Sequence, residues 1–108
     1  MTIKHQGSQR ILVIGAGHGG TAMLELFITD PMVQIVGIMD VDPRAPAMTL
    51  ARSHGIPNFT DLAEAIEASR PCIAFNLTGD DNITVYTESR LGSTMSLAAF
   101  RRVSSGTY

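Results

Sequence analysis

Residues 11–23 read ILVIGAGHGGTAM and place four glycines within six residues, directly after an apolar run. Glycine loses more conformational entropy on folding than any other residue, so this cluster indicates a backbone that must turn tightly or approach another group closely. The run before it, residues 10–14, is dominated by β-branched side chains. An uninterrupted apolar run of this kind predicts a strand that is buried on both faces of a parallel sheet.

Apolar strands and helices alternate along the chain after the glycine cluster. The sequence predicts helices at 21–30, 45–54 and 61–69, and further strands at 33–40, 56–59 and 72–78. Strands that alternate with helices are typical of repeated right-handed crossovers. The sequence therefore predicts an α/β fold with an open, doubly wound, mostly parallel sheet.

This alternation stops after the fourth predicted strand. Only GDDN, residues 79–82, separates that strand from the β-branched run ITVYT at 83–87. A crossover between parallel strands needs about a dozen residues or more. We therefore expect the parallel sheet to be truncated after strand four, with 83–87 as an antiparallel edge strand; a helical turn is the alternative. An amphipathic helix that Ser93 or Thr94 caps, running to Val103, is expected to close the chain.

Length and charge limit the classes of function. The chain has 108 residues, which predicts one domain at 10–103 between a flexible polar leader at 1–9 and a flexible tail at 104–108. A net charge of −2 provides no basic face for nucleic acid or for an anionic membrane. The single cysteine and the lack of a long apolar run favour a cytoplasmic protein without nucleic-acid or membrane partners.

The glycines form a motif with a known mechanical basis. Gly15, Gly17 and Gly20 spell G-x-G-x-x-G between a strand and a helix, and Asp40 ends the second strand 20 residues after the last glycine. In such a motif the first glycine permits the turn, the second lets the backbone approach a pyrophosphate, and the third lets the helix pack closely. The acidic residue accepts hydrogen bonds from a ribose. The sequence therefore predicts NAD binding, and a tight turn in a sheet that has lost its ligand is the structural alternative.

Other candidate residues flank this motif. His18 lies within the loop and is able to donate a hydrogen bond to a phosphate. Thr78 and Gly79 follow the fourth strand, at the edge where doubly wound sheets bind ligands. For His18 the alternative is a solvent-facing loop residue, and for Thr78 and Gly79 it is a hairpin turn. The full predicted cofactor set is Gly15, Gly17, His18, Gly19, Gly20, Asp40, Asp42, Thr78 and Gly79.

The charges after the second strand bear on the choice of cofactor. A carboxylate at Asp40 accepts bonds from the ribose hydroxyls of NAD, whereas in NADP it faces a phosphate of like charge. Asp42 and Arg44 follow it, and Arg44 is either a partner for that phosphate or a solvated charge. The sequence therefore favours NAD over NADP.

Several segments resemble a known group of domains. The pattern ILVIGAGHGG followed by VGIMDVDP is similar to the N-terminal dinucleotide-binding domain of the glucose–fructose oxidoreductase and inositol dehydrogenase class. IGAGHGGTAMLELF, VGIMDVDPRAPAMTLARSHGIPNF and NLTGD resemble more closely the small Rossmann modules in front of bacterial sensory and signalling domains. The resemblance covers residues 11–79 and implies NAD-type binding at Gly15, Gly17, Gly20 and Asp40, with no catalytic residue.

Four functional hypotheses follow from these features. Hydride transfer needs a substrate pocket and usually a lysine or histidine proton donor, and the one lysine, Lys4, is in the leader. We therefore favour a regulatory or sensory NAD-binding module over the cofactor half of an oxidoreductase whose substrate domain is absent. G-x-G-x-G at 15–19 also fits a methyltransferase, although that fold needs more strands. The fourth hypothesis is a ligand-free assembly domain.

A homodimer is expected from the small core, the apolar last helix and an exposed edge strand.

Overall fold

Strands and helices alternate strictly in the structure, a computed structural model that describes residues 8–91 and 94–96. The elements in chain order are β1 (Gln9–Ile14), α1 (His18–Phe27), β2 (Val33–Met39), α2 (Pro46–Ser53), β3 (Asn58–Phe59), α3 (Leu62–Ser69), β4 (Ile73–Asn76), α4 (Asp81–Leu91) and β5 (Thr94–Ser96). The first strand thus begins at Gln9, inside the predicted leader, and residues 1–7 lie outside the described range.

The strands form a single parallel sheet in the order β3-β2-β1-β4-β5. From β1 the chain first builds outward through β2 and β3, then returns to place β4 on the other side of β1. This reversal confirms the predicted doubly wound α/β class and matches the strand order of Rossmann-like folds. The carboxyl ends of β1, β2 and β4 meet at the reversal, which is where open α/β sheets bind their ligands.

Helices cover both faces of the sheet, and this explains the uninterrupted apolar run in β1. Val13 packs with Leu24 of α1 and Met48 of α2 on one face. Leu12 packs with Ile66 of α3 on the other face. Leu12 and Val13 have no exposed surface, since neighbouring residues of a strand point to opposite faces and both faces are buried.

The expectation for residues 83–87 is wrong. They lie inside α4 and not in an antiparallel edge strand, and α4 leads to β5, which pairs parallel with β4. Ile83, Tyr86 and Leu91 contact the buried cluster, whereas Val85 is 66% exposed. This pattern is helical, so burial against the sheet overrides the β propensity of the individual residues. The chain therefore does complete a helical crossover after strand four.

The expected closing helix is also partly wrong. Thr94–Ser96 form β5, so no helix begins at Thr94, and residues 97–108 lie outside the described range. A homodimer, expected from the small core, the apolar last helix and an exposed edge strand, stays a prediction, as does the cytoplasmic location. Among residues 8–91 and 94–96, every helix is too short or too polar to cross a membrane.

Gly37 of β2 lies in close contact with neighbouring residues on the α3 face of the sheet. A side chain here would place its Cβ 2.8 Å from Phe59 Cε2 and 3.0 Å from Ser69 Oγ. We expect Gly37→Ala to lower the free energy of unfolding by about 1–3 kcal/mol, as overpacking does. Urea denaturation measures this change. Gly19→Ala is the matched control, because its Cβ would meet Leu77 Cβ at an ordinary 3.7 Å. Equal midpoints for Gly37→Ala and the wild type would contradict this packing.

Candidate functional site

The turn after β1 requires glycine at two positions for reasons internal to the fold. Gly15 has φ +104°, and a Cβ on it would lie 3.2 Å from Thr78 Cγ2. A Cβ on Gly20 would collide with the carbonyl oxygen of Gly15. Gly15 therefore provides the left-handed turn, and Gly20 lets α1 start directly against it.

Gly17 differs from these two glycines, because no steric contact excludes a side chain there. Its backbone has φ −81° and ψ −145°, and a Cβ built on it meets none of the described atoms within 4 Å. The backbone at Gly17 faces open space at the carboxyl edge of the sheet. Such open space lets another molecule approach the main chain at this residue.

The start of α1 presents uncommitted donors on the same loop. Gly17 is the N-cap residue and offers no side-chain hydrogen bond, and the first helical bond runs from Thr21 N to Gly17 O, at 2.9 Å. Within the part of the chain that the structure describes, none of the N–H groups of residues 17–20 donates a hydrogen bond. Consecutive free N–H groups at a helix start attract phosphate through hydrogen bonds and through the positive end of the helix dipole. His18, exposed, and Gly19 are the first residues of this helix.

Asp40 ties the end of β2 to the glycine loop. Its Oδ2 accepts a hydrogen bond from Ala16 N at 2.8 Å, and its Oδ1 accepts one from Asp42 N at 2.9 Å. The side chain is half-buried, so it stays accessible from the carboxyl edge. The structure thus brings Asp40 and the glycine loop together, as the sequence predicts for a dinucleotide site, and adds a direct bond between them.

The residues after Asp40 continue the same hydrogen-bond pattern. Asp42 Oδ1 accepts a bond from Arg44 N at 2.9 Å, and both residues are exposed. Among the described residues, Arg44 forms no ion pair. The loop therefore holds the backbone of Arg44 and leaves its guanidinium in solvent.

The loop after β4 is organised by Asn76, which sequence reasoning missed. Its side chain is buried at 1% exposure. Asn76 Nδ2 donates to Asp80 O at 2.9 Å and to Thr84 Oγ1 at 2.8 Å. Asn76 Oδ1 accepts from Thr78 N at 3.0 Å and from Thr78 Oγ1 at 2.6 Å. These four bonds shape the loop around the predicted residues Thr78 and Gly79.

Thr78 and Gly79 belong to the same edge as the glycine turn. The methyl carbon of Thr78 approaches Gly15, and Thr78 Oγ1 also accepts a bond from Asp80 N at 3.1 Å. Gly79 has φ +81° and an open position for a Cβ. Both residues are exposed. The sequence does contain one signal for Asn76, which is an amide side chain at the end of an otherwise apolar strand.

A second missed contact anchors the glycine loop from the opposite side. Ala47 N, at the start of α2, donates to Ala16 O at 2.9 Å. Ala16 is fully buried, and both of its backbone polar groups are engaged, by Asp40 and by Ala47. No sequence motif marks this contact, since it depends on how α2 packs beside the loop.

The remaining candidate chemistry lies away from this edge. Cys72 precedes β4 at the opposite end of the strand, and burial raises the pKa of its thiol, although Arg10 and Arg70 act in the other direction. A raised pKa disfavours the thiolate, which is the nucleophilic form. The residues that the structure describes contain no cluster of side chains able to hold a metal ion.

Comparisons with known proteins identify no family for this chain. The sequence matches no protein-family profile, and no curated protein is detectably similar to it. A solved structure described as an NAD-binding protein from Listeria innocua aligns with 83% of this chain at a TM-score of 0.44 and 11% sequence identity. The aligned part is 35% of that protein, so this chain spans about a third of its length.

The hydrogen bonds of Asn76 lead to a test of the loop. Asn76→Ala removes the four hydrogen bonds of a buried side chain, so we expect a loss of about 2–3 kcal/mol in unfolding free energy. Thermal and urea unfolding measure it. Asn82→Ala is the matched control, since Asn82 is exposed and its bond to Asp80 Oδ1 comes from its backbone N–H, which the substitution retains. If both variants unfold alike, Asn76 does not organise the loop.

Proposed function

We propose that this domain binds an adenine dinucleotide of the NAD type at the carboxyl edge of β1, β2 and β4. The glycine loop holds the pyrophosphate, and Asp40 accepts hydrogen bonds from the hydroxyls of the adenine ribose. The loop after β4, with Thr78 and Gly79, borders the other half of the ligand. His18 and Gly19 lie at the helix start beside the phosphates.

The observation that carries this proposal is the combination of open space at Gly17 with free donors at residues 17–20. A purely structural turn accounts for Gly15 through its positive φ and for Gly20 through its contact with the carbonyl oxygen of Gly15. At Gly17 no contact excludes a side chain. A pyrophosphate that approaches the main chain explains Gly17 and satisfies the donors at the same time.

Asp40 supports the choice of NAD over NADP. Each carboxylate oxygen accepts one backbone N–H and retains further lone-pair capacity for a ribose hydroxyl. A 2′-phosphate would instead meet this negative charge. The exposed side chain of Arg44 would have to turn toward that phosphate to offset the repulsion from Asp40.

We propose that the domain acts as a regulatory or sensory binding module and does not catalyse a reaction by itself. The carboxyl edge of the sheet offers N–H groups for phosphate and hydrogen-bonding side chains, and the one lysine of the chain, Lys4, lies outside the described range. The second hypothesis stays the cofactor half of an oxidoreductase, in which NAD would supply hydride chemistry and a further domain the substrate pocket.

Gly17→Ala tests the proposal directly. The new methyl group would occupy the space through which the pyrophosphate approaches, so we expect NAD to bind at least tenfold more weakly, about 1.4 kcal/mol. No described atom lies within 4 Å of that methyl group, so the unfolding free energy should change by less than about 1 kcal/mol. Isothermal titration calorimetry with NAD and NADP, together with urea denaturation, measures both quantities.

Gly55→Ala is the matched control. Gly55 has φ +71° and lies between α2 and β3, beyond the C-terminal end of the helix. Alanine there should cost about 1–2 kcal/mol of stability through backbone strain and leave NAD affinity unchanged. The proposal is wrong if the wild-type chain binds no NAD, or if the two variants lose NAD affinity equally.

A further inference from the structure

We infer that Asp40 is a positioning residue for the phosphate-binding loop, in addition to its role toward the ribose. This inference rests on the proposed function and deepens it. Asp40 acts on the phosphate through Ala16, which lies between the turn residue Gly15 and the ligand-facing residue Gly17. Binding of a phosphate group should then depend on Asp40 even when the ligand has no ribose hydroxyls.

The bond from Ala16 N to Asp40 Oδ2 is the basis of this inference. Its length is 2.8 Å, and Ala16 has no exposed surface, so this N–H has no access to water. A buried N–H that loses its partner is costly, and the loop would have to turn to find another acceptor. That rotation would reorient the next peptide, which carries the N–H of Gly17.

The carboxylate is itself held in place. Its other oxygen accepts a bond from Asp42 N at 2.9 Å, so the group bridges two backbone segments. Ala16 is also fixed from the opposite side, where its carbonyl accepts a bond from Ala47 N at 2.9 Å. The loop is therefore clamped between the end of β2 and the start of α2. Of these two clamps, only the carboxylate is a side chain that mutation can remove.

The sign of the mutational effect separates positioning from the ribose role. A negative charge beside a phosphate site repels the ligand, so removal of a carboxylate that served only the ribose would leave unchanged or tighten the binding of a ligand without hydroxyls. Loss of a loop-positioning bond weakens the binding of that same ligand. The two roles thus predict different changes in affinity when Asp40→Ala is tested with a ligand that lacks ribose hydroxyls.

The experiment compares ADP with 2′,3′-dideoxy-ADP, which lacks both ribose hydroxyls, by calorimetry on the full chain. We expect Asp40→Ala to weaken both ligands, and to weaken 2′,3′-dideoxy-ADP by about tenfold, the loss typical of one charge-assisted hydrogen bond. Asp40→Asn retains one oxygen that can accept the Ala16 N–H, so it should restore most of the affinity for 2′,3′-dideoxy-ADP.

Asp61→Ala is the matched control for a general loss of stability. Asp61 Oδ2 caps α3 by accepting a bond from Glu64 N at 2.9 Å, so this variant loses a similar carboxylate–backbone bond at another place. It should leave both affinities unchanged. An equal loss in Asp61→Ala would overturn the inference.

The remaining outcomes separate the inference from the proposed function. If Asp40→Ala weakens ADP alone, Asp40 serves only the ribose, and the inference is wrong while the proposed function stands. The inference also fails if the wild-type chain binds ADP but not 2′,3′-dideoxy-ADP, because phosphate binding by the loop then contributes little. If the wild-type chain binds neither ADP nor NAD, the proposed function fails, and the inference fails with it.

Discussion

The close approach of α1 to the glycine turn is the constraint on which the proposed dinucleotide site depends. Gly20 allows the helix to begin against the carbonyl oxygen of Gly15, and any side chain there would collide with it. Because the helix starts so near the end of β1, its free N–H groups lie at the carboxyl edge of the sheet, where β2 and β4 also end. The placement of these donors, and hence the chemistry of the edge, follows from one backbone contact.

Two polar side chains stabilise the loops that border this contact. Asp40 bonds the glycine loop to the end of β2, and Asn76 shapes the loop after β4. Loops at the surface of a sheet are usually its most mobile parts. Side-chain bonds to backbone N–H and carbonyl groups pre-organise them, and pre-organisation lowers the entropic cost of binding a ligand. These bonds hold the two loops at the carboxyl edge of the sheet in a defined arrangement, as the proposed dinucleotide site requires.

Sequence reasoning succeeded where neighbouring residues determine the outcome. The apolar runs, the glycine spacing and Asp40 are local signals, and they predict β1, the turn and the doubly wound sheet. It failed at residues 83–87, because their helical form depends on burial of Ile83 and Tyr86 against distant strands. The role of Asn76 was not predicted for a related reason, since its four hydrogen bonds exist only after the loop has folded.

Titration of the ¹⁵N-labelled domain with NAD, followed by amide chemical shifts, tests the central claim most directly. If the glycine loop holds a pyrophosphate, the largest changes must occur at the N–H groups of Gly17, His18, Gly19 and Gly20, which are the donors without a described partner. Smaller changes are expected at Asp42, whose N–H donates to Asp40, and at Thr78, whose methyl carbon lies beside Gly15. No response at residues 17–20 at millimolar NAD, or changes confined to another part of the sheet, would contradict the account.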